Sequence, residues 1–402
     1  MNPLIIIGAG LAGWTTAREF RKLDASTPVV LITADSGDFY AKPSLSNAFA
    51  QRRTPVQLIS TPAATLAQNL NVTLMAHGRV NALDVAGRTV QFTQDGTTHT
   101  LAYHRLVLAT GAHPIRVPLQ GDAADQVQSV NSLADFSRFH SVLNPHATGA
   151  DSSENNSKTV VILGAGLIGC EFANDLALAG HQVHVADPAQ RPLAALLPEA
   201  ASLQLRTALA AAGVHWHLGT TVQAVDAAAP SPTEARPLRV RLADGSTLAA
   251  DAVLSAIGLR ADTTLAHAAG LACERGIVVD ATLQTSTDHV YALGDCAQYA
   301  SAGGRTLPFV MPIMAAARAL AATLAGTPTP LVFALMPVSV KTPALPVVVA
   351  AAHPSQAGQW VADPGCDDGV WRFLDTVGTQ RGFVLTGPHT AQRAAFSKAT
   401  AP

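Results

Sequence analysis

Two hexapeptides carry glycines at the offsets of a phosphate-binding turn: Gly8-Ala9-Gly10-Leu11-Ala12-Gly13 and Gly164-Ala165-Gly166-Leu167-Ile168-Gly169. In a GxGxxG spacing one glycine permits a tight turn, one lets the backbone approach a pyrophosphate, and one lets a helix pack closely on a strand. A helix opened by such a turn offers unsatisfied N–H groups and a partial positive charge to a phosphate. An acid follows each motif at about the 20-residue distance at which a carboxylate meets an adenosine ribose. Asp35 does so after the first motif, with Asp38 close enough to compete, and Asp187 after the second. A carboxylate there accepts from the ribose 2′-OH and repels a 2′-phosphate, so Asp187 favours NADH over NADPH, while the nearby Arg191 pulls the other way. The alternatives are glycine turns without a ligand and an Asp187 that only caps the turn after it.

The elements needed to position these residues are present. Leu4 to Ile7 is an apolar run that ends at Gly8, residues 11 to 23 have helical spacing, and Val29 to Ile32 is a second β-branched run. Strand, turn, helix and strand make a βαβ unit with parallel strands. Thr159 to Leu163, residues 167 to 180 and Val183 to Ala186 repeat that order. Two short strands end in glycine, Leu106 to Ala109 before Thr110-Gly111 and Val290 to Leu293 before Gly294-Asp295. An alanine-rich helix runs from after Pro308 to about Ala325, and Gly326, Pro328 and Pro330 stop it. Beyond it, Val, Thr and Trp content with turn signals at Pro346, Pro354, Gly365 and Gly378 predicts a small sheet domain. The polar stretches 146 to 158 and 227 to 237 read as surface loops that do not touch function. The fold class expected is α/β: two Rossmann-like, three-layer dinucleotide-binding domains plus a small α+β C-terminal domain.

The bulk numbers bound the function class. With 402 residues, 48% hydrophobic and 13% charged, the chain can bury large cores, and a net charge of −2 gives no general field for nucleic acid or anionic lipid. Cys170, Cys273, Cys296 and Cys366 are too scattered for a disulfide framework or a zinc site and read as reduced cytoplasmic thiols. Met1-Asn2-Pro3 running into a strand pattern, and apolar runs short of the ~20 residues of a membrane span, lead us to expect a soluble protein without a leader. His215 and His217 flank Trp216 in a strand-like run and are read as lying on alternate faces, not as metal ligands; no metal is expected.

The order GxGxxG, Ala109-Thr110-Gly111, a second GxGxxG followed by Glu171, and Tyr291-Ala292-Leu293-Gly294-Asp295 resembles the pyridine nucleotide flavoprotein reductases of the glutathione reductase class. The resemblance implies an FAD-binding domain over 1–125 and 253–325, an NAD-binding domain over 126–252, and a C-terminal domain over 326–402. It implies FAD contacts at Gly8, Gly10, Gly13 and Asp295. The further cofactor-binding candidates are Leu11, Ala12, Asp35, Val80, Thr110, Gly111, Gly164, Gly166, Leu167, Ile168, Gly169, Glu171, Asp187, Gly258 and Gly294. Relatives that relay electrons through thiols keep a cysteine in the segment after the second strand, whereas Phe39 to Phe49 has none and no CxxC or CxxxxC occurs in the chain. The flavin itself must then deliver electrons outward.

That segment reads Tyr40-Ala41-Lys42-Pro43-Ser44-Leu45-Ser46, similar to the Lys-Pro-x-Leu-Ser stretch of one-electron reductases that serve ferredoxins and rubredoxins. Lys42, with Pro43 beside it, is the candidate cation for an anionic reduced flavin, and Glu171 is expected to pair with Lys42 or to meet the nicotinamide amide. The tail carries Val340-Lys341-Thr342-Pro343, which resembles the rubredoxin reductases. Lys341 is expected either to reach the flavin or to be an ordinary solvated lysine. The implied activity is hydride transfer from NADH to FAD and then single electrons to a rubredoxin. Ferredoxin reduction, an NADH oxidase and an NADH-sensing flavoprotein are the alternatives.

Overall fold

The computed structural model describes residues 2–144, 157–228, 237–353, 355–363 and 369–400. The two polar loops expected at 146 to 158 and 227 to 237 therefore fall largely outside the described residues, as do Cys366 and the turn signals Pro354 and Gly365. The chain divides into two compact units. One comprises Met1–Ala41, Ile59–His113 and Leu259–Ala334, the other Lys42–Leu58, Pro114–Gly258 and Leu335–Pro402.

In the first unit, β1 (Leu4–Ile7), α1 (Leu11–Arg21) and β2 (Val29–Ile32) form the βαβ repeat, with β1 and β2 parallel and in register. Every residue of both strands is buried, as a parallel strand covered on both faces requires. Strands Arg105–Leu108, Val290–Ala292 and Val72–Met75 complete a five-stranded parallel sheet with β1 at its centre. The helix Val310–Leu324 packs along α1, and the antiparallel strands Arg79–Asp84, Thr89–Gln94 and Thr97–Ala102 contribute Val90 and Phe92 to the same core.

In the second unit, β3 (Thr159–Leu163), α2 (Leu167–Leu178), β4 (Gln182–Asp187), α3 (Glu199–Ala211) and β5 (Val214–Leu218) repeat the pattern. Their sheet has the order β5, β4, β3, Ala252–Ser255, all parallel, so β5 lies at its edge. A three-stranded antiparallel meander, Val222–Ala227, Leu238–Leu242 and Thr247–Ala250, packs Val225 and Val240 against Val161, Leu163 and Ala186. The C-terminal part is a five-stranded antiparallel sheet over 338–386 with the helix Arg393–Ala399 set on it through Phe396 and Phe383. This is the α/β architecture expected. One assignment is corrected: His215 and His217 sit two residues apart on β5 and both stack on His184 of β4, so they share a face.

Candidate functional site

The two glycine turns divide their labour in the same way. Gly8 (φ +107°) and Gly164 (φ +103°) adopt backbone that L side chains rarely take, and a Cβ on either would strike a carbonyl of the adjacent chain. A Cβ on Gly13 or Gly169 would lie 1.9 Å from the carbonyl oxygen of Gly8 or Gly164, so helix and turn meet there with no room for a methyl. A Cβ on Gly10 or Gly166 would meet nothing within 4 Å. Those two positions leave the open space through which a pyrophosphate can approach the backbone. Gly10 and Gly166 are also the helix N-caps, with no side-chain cap and no acid in the first turn. Leu11, Ala12, Leu167 and Ile168 thus open two helices whose N–H groups and dipoles suit an anion. Both turns fit a dinucleotide.

The acids differ. Asp35 is exposed, and its Oδ1 accepts from Thr33 Oγ1 at 2.6 Å and Gly37 N at 3.0 Å. Asp38 accepts from Ala63 N at 2.8 Å and Ser36 Oγ at 2.9 Å, holding the start of the helix Ala63–Asn69, which leaves Asp35 as the better ribose candidate. Asp187 accepts from Ala165 N, inside the second glycine turn, at 2.6 Å and from Ala189 N at 2.7 Å. It therefore braces the turn from the end of β4 and caps the turn after it. Arg191 donates to Leu197 O at 2.7 Å and Ala194 O at 3.1 Å, so its guanidinium ties down its own loop.

Around the remaining first-unit positions, Thr110 Oγ1 donates to Asp262 O at 3.0 Å, and Gly111 and Gly294 both have positive φ. A Cβ on Gly294 would come within 2.9 Å of Ala12 Cβ, which brings the Gly294-Asp295 turn against α1. Tyr299 Oη locks that turn by accepting from Gly294 N at 2.7 Å, and Asp295 is half-buried beside it. Val80 is half-buried against the unit's core, opposite Phe92. In the second unit Gly258 is exposed at φ +113° and accepts from Ile115 N at 3.0 Å.

Glu171 is the most committed polar residue of the second unit. It is 4% exposed, and Oε2 accepts from Ser46 Oγ at 2.6 Å and Lys341 Nζ at 2.5 Å, while Oε1 accepts from the Lys341 N–H at 2.9 Å. Glu171 is expected to pair with Lys42 or to meet the nicotinamide amide; the ammonium found on its carboxylate is that of Lys341. Lys341 is half-buried, and Nζ also donates to Pro43 O at 2.7 Å and to Ser46 Oγ at 3.1 Å. Lys42 opens a 3₁₀ segment, Lys42–Asn47, that carries Pro43 and Ser46 to this cluster. Lys341 suits Glu171 because it brings an ammonium to one carboxylate oxygen and a backbone N–H to the other.

Two further members of the polar face of α2, Asn174 and Asp175, are not among the candidates drawn from the sequence. Asn174 Oδ1 accepts from Ala344 N at 3.1 Å, and Asp175 accepts from Phe49 N and Ala50 N, each at 2.9 Å. Glu171, Asn174 and Asp175 fall at i, i+3 and i+4, one stripe on an otherwise apolar helix, and that spacing was the available signal. Burial pushes the Asp175 carboxyl up from its ordinary value, against the opposing pull of the backbone N–H groups and Lys341. Cys170 and Cys296 are fully buried and burial pushes both thiols up; Cys273 is raised for the same reason. None of the three described cysteines is a reactive thiolate. Among the described residues no group of three or more His, Cys, Asp or Glu side chains is arranged to hold a metal ion, and no helix is long and apolar enough to cross a membrane.

Comparison with known proteins agrees with this geometry. The pyridine nucleotide-disulphide oxidoreductase family matches residues 2–321, and a rubredoxin binding C-terminal domain matches residues 330–400. A rubredoxin-NAD(+) reductase of Alcanivorax borkumensis is 42% identical over 99% of this chain and 98% of its own length. One from Acinetobacter baylyi is 41% identical over 96% and 94%. Among solved structures, the ferredoxin reductase for the CYP199A2 system of Rhodopseudomonas palustris superposes with a TM-score of 0.84 at 26% identity, covering 100% of this chain and 96% of that one. On the glycine turns, the sheet order and these matches, the chain belongs to the pyridine nucleotide-disulphide oxidoreductase family and ends in a rubredoxin-binding domain.

Proposed function

We propose that the protein is an NADH-dependent rubredoxin reductase, an FAD enzyme that takes hydride from NADH and gives single electrons to a rubredoxin in the cytoplasm. The observation that carries the reading is the joint presence of two open glycine turns and a C-terminal domain of the rubredoxin-binding kind. Bound FAD supplies what no side chain can, acceptance of two electrons together and their release singly.

The chain's own residues bind and orient. Gly8, Gly10 and Gly13, with Leu11 and Ala12 at the head of α1, are assigned to the FAD pyrophosphate, Asp35 to its adenosine ribose, and Thr110, Gly111, Gly294, Asp295 and Val80 to the rest of that cofactor. Gly164, Gly166, Leu167, Ile168, Gly169 and Gly258 are assigned to NADH. Asp187 has one carboxylate oxygen on the N–H of Ala165 in the glycine turn and the other on the N–H of Ala189 in the turn after β4, a negative site for a ribose 2′-OH and an unfavourable one for a 2′-phosphate. The engagement of Arg191 with its own loop supports NADH further. Lys42 and Pro43 are assigned to the flavin side. Lys42 is the candidate cation for the reduced ring, and Glu171 holds Lys341 and Ser46 in place beside Pro43. On this reading the first unit is the FAD-binding part, residues 114–258 the NAD-binding part and the remainder of the tail the carrier-binding part.

The ferredoxin alternative rests on the structural likeness to a ferredoxin reductase. Stopped-flow reoxidation of the NADH-reduced protein separates the two. Rubredoxin is expected to reoxidise it much faster than a plant-type or putidaredoxin-type ferredoxin; the reverse order overturns the assignment, and fast reoxidation by oxygen alone points to an oxidase.

A further inference from the structure

Three imidazoles lie together on the second unit, away from the glycine turn. In the parallel pairing of β4 and β5, His184 stands opposite His215, and Ala186 opposite His217. The His184 ring stacks on both neighbours, with centroids 4.9 Å from His215 and 5.3 Å from His217 and planes within 30° of parallel. His184 Nδ1 and His217 Nε2 are 3.1 Å apart. The cluster is on the face where the meander covers Val161, Leu163 and Ala186 but at the open edge of the sheet; His215 is exposed, His184 and His217 half-exposed. Trp216, pointing the other way, bonds to Arg206 O of α3.

We infer that His184 Nδ1 and His217 Nε2 form a two-nitrogen chelate for one late first-row divalent cation, Zn²⁺ or Ni²⁺ in class. Two imidazole nitrogens bound to the same zinc at about 2.05 Å and a tetrahedral angle stand about 3.3 Å apart, so the observed pair needs to open by only a few tenths of an ångström. Imidazole suits Zn, Cu and Ni, whereas Mg²⁺ and Ca²⁺ take oxygen ligands. Without an ion, one of the facing nitrogens must hold a proton and donate it to the other. On binding, that proton moves to the outward nitrogen of the same ring, so two neutral imidazoles present two lone pairs with no net change in protonation. His215 is a stacking partner that restrains the His184 ring and is not a ligand. Among the described residues no group of three such side chains gathers here, so the pair is proposed to hold an exchangeable ion with water in its remaining positions. The ion would cross-link β4 to β5 one residue before Asp187, whose partner in the register is Leu218.

The test uses the full-length, FAD-loaded protein stripped of metal with EDTA and titrated with ZnCl₂ and NiCl₂ in a calorimeter. One saturable site per chain is expected, weakened by about ten-fold or more in His184→Gln and in His217→Gln and much less in His215→Gln. Equal affinity in wild type and both ligand variants overturns the proposal, as does the absence of any saturable site or equally tight binding of Mg²⁺. Should a variant fail to fold, the Cu²⁺-loaded wild type gives an independent reading. Its electron spin-echo spectrum should show two imidazole nitrogens, and a spectrum with one or none overturns the site.

Discussion

At the scale of single residues, position within the glycine turn decides what a substitution does. Gly169→Ala forces a methyl to 1.9 Å from a carbonyl oxygen, so a loss of stability of about 3 kcal/mol is expected in urea unfolding. Gly166→Ala adds the same methyl where nothing lies within 4 Å, and stability should change by less than about 0.5 kcal/mol. The NADH KM of that variant should still rise about ten-fold, roughly 1.4 kcal/mol, because the space filled is the cofactor's. Equal stability losses at the two positions would remove the distinction. The Glu171–Lys341 pair makes a second case. Lys341→Met leaves a buried carboxylate with only Ser46 and a backbone N–H, a cost of about 3 kcal/mol, and adding Glu171→Gln should recover much of it. Additive losses in the double variant would mean that the pair is not coupled.

At the scale of elements, α2 has two uses. Its N-terminus is the uncapped end of the second glycine turn, and its polar stripe of Glu171, Asn174 and Asp175 fastens the segments 46–50 and 341–344 to it. The folded protein holds the Asp175 proton more tightly than the unfolded chain, whose carboxyl titrates near the ordinary 3.8. Stability from this group is full below that value and is lost as the pH rises through the raised folded-state pKa. Asp175→Asn abolishes the dependence. The difference in unfolding free energy between wild type and variant should therefore move in the variant's favour from about pH 4 to pH 7. A flat difference would mean that the N–H groups of Phe49 and Ala50 balance burial, and one of opposite slope that they outweigh it.

At the scale of the molecule, a chain of net charge −2 with 13% charged residues offers little long-range steering to a small protein carrier. Contact at the rubredoxin-binding domain must then rest more on apolar surface, and the KM for rubredoxin should change by less than about three-fold between low and physiological ionic strength. A steep fall in affinity with salt would instead reveal a focused basic patch. Much of this level was legible beforehand. Both βαβ repeats stand where apolar runs and glycine turns put them, because parallel strands covered on both faces must be continuous hydrophobic runs. The Val-Lys-Thr-Pro tail pointed to the carrier by its resemblance to the rubredoxin reductases, and the family match over residues 330–400 agrees with it.

The sequence by itself determined the two nucleotide turns, since a tight turn, an open approach and a close helix packing each demand glycine at a fixed offset within six residues. Tertiary structure alone decided which charges meet. Glu171 lies 170 residues from Lys341 and 125 from Ser46, and nothing local distinguishes Lys341 from Lys42 as its partner. The same holds for His184 and His217, brought to 3.1 Å by the pairing of two strands. Backbone conformation is written in neighbours along the chain, whereas the pairing of buried polar groups depends on which distant segments the hydrophobic packing brings together.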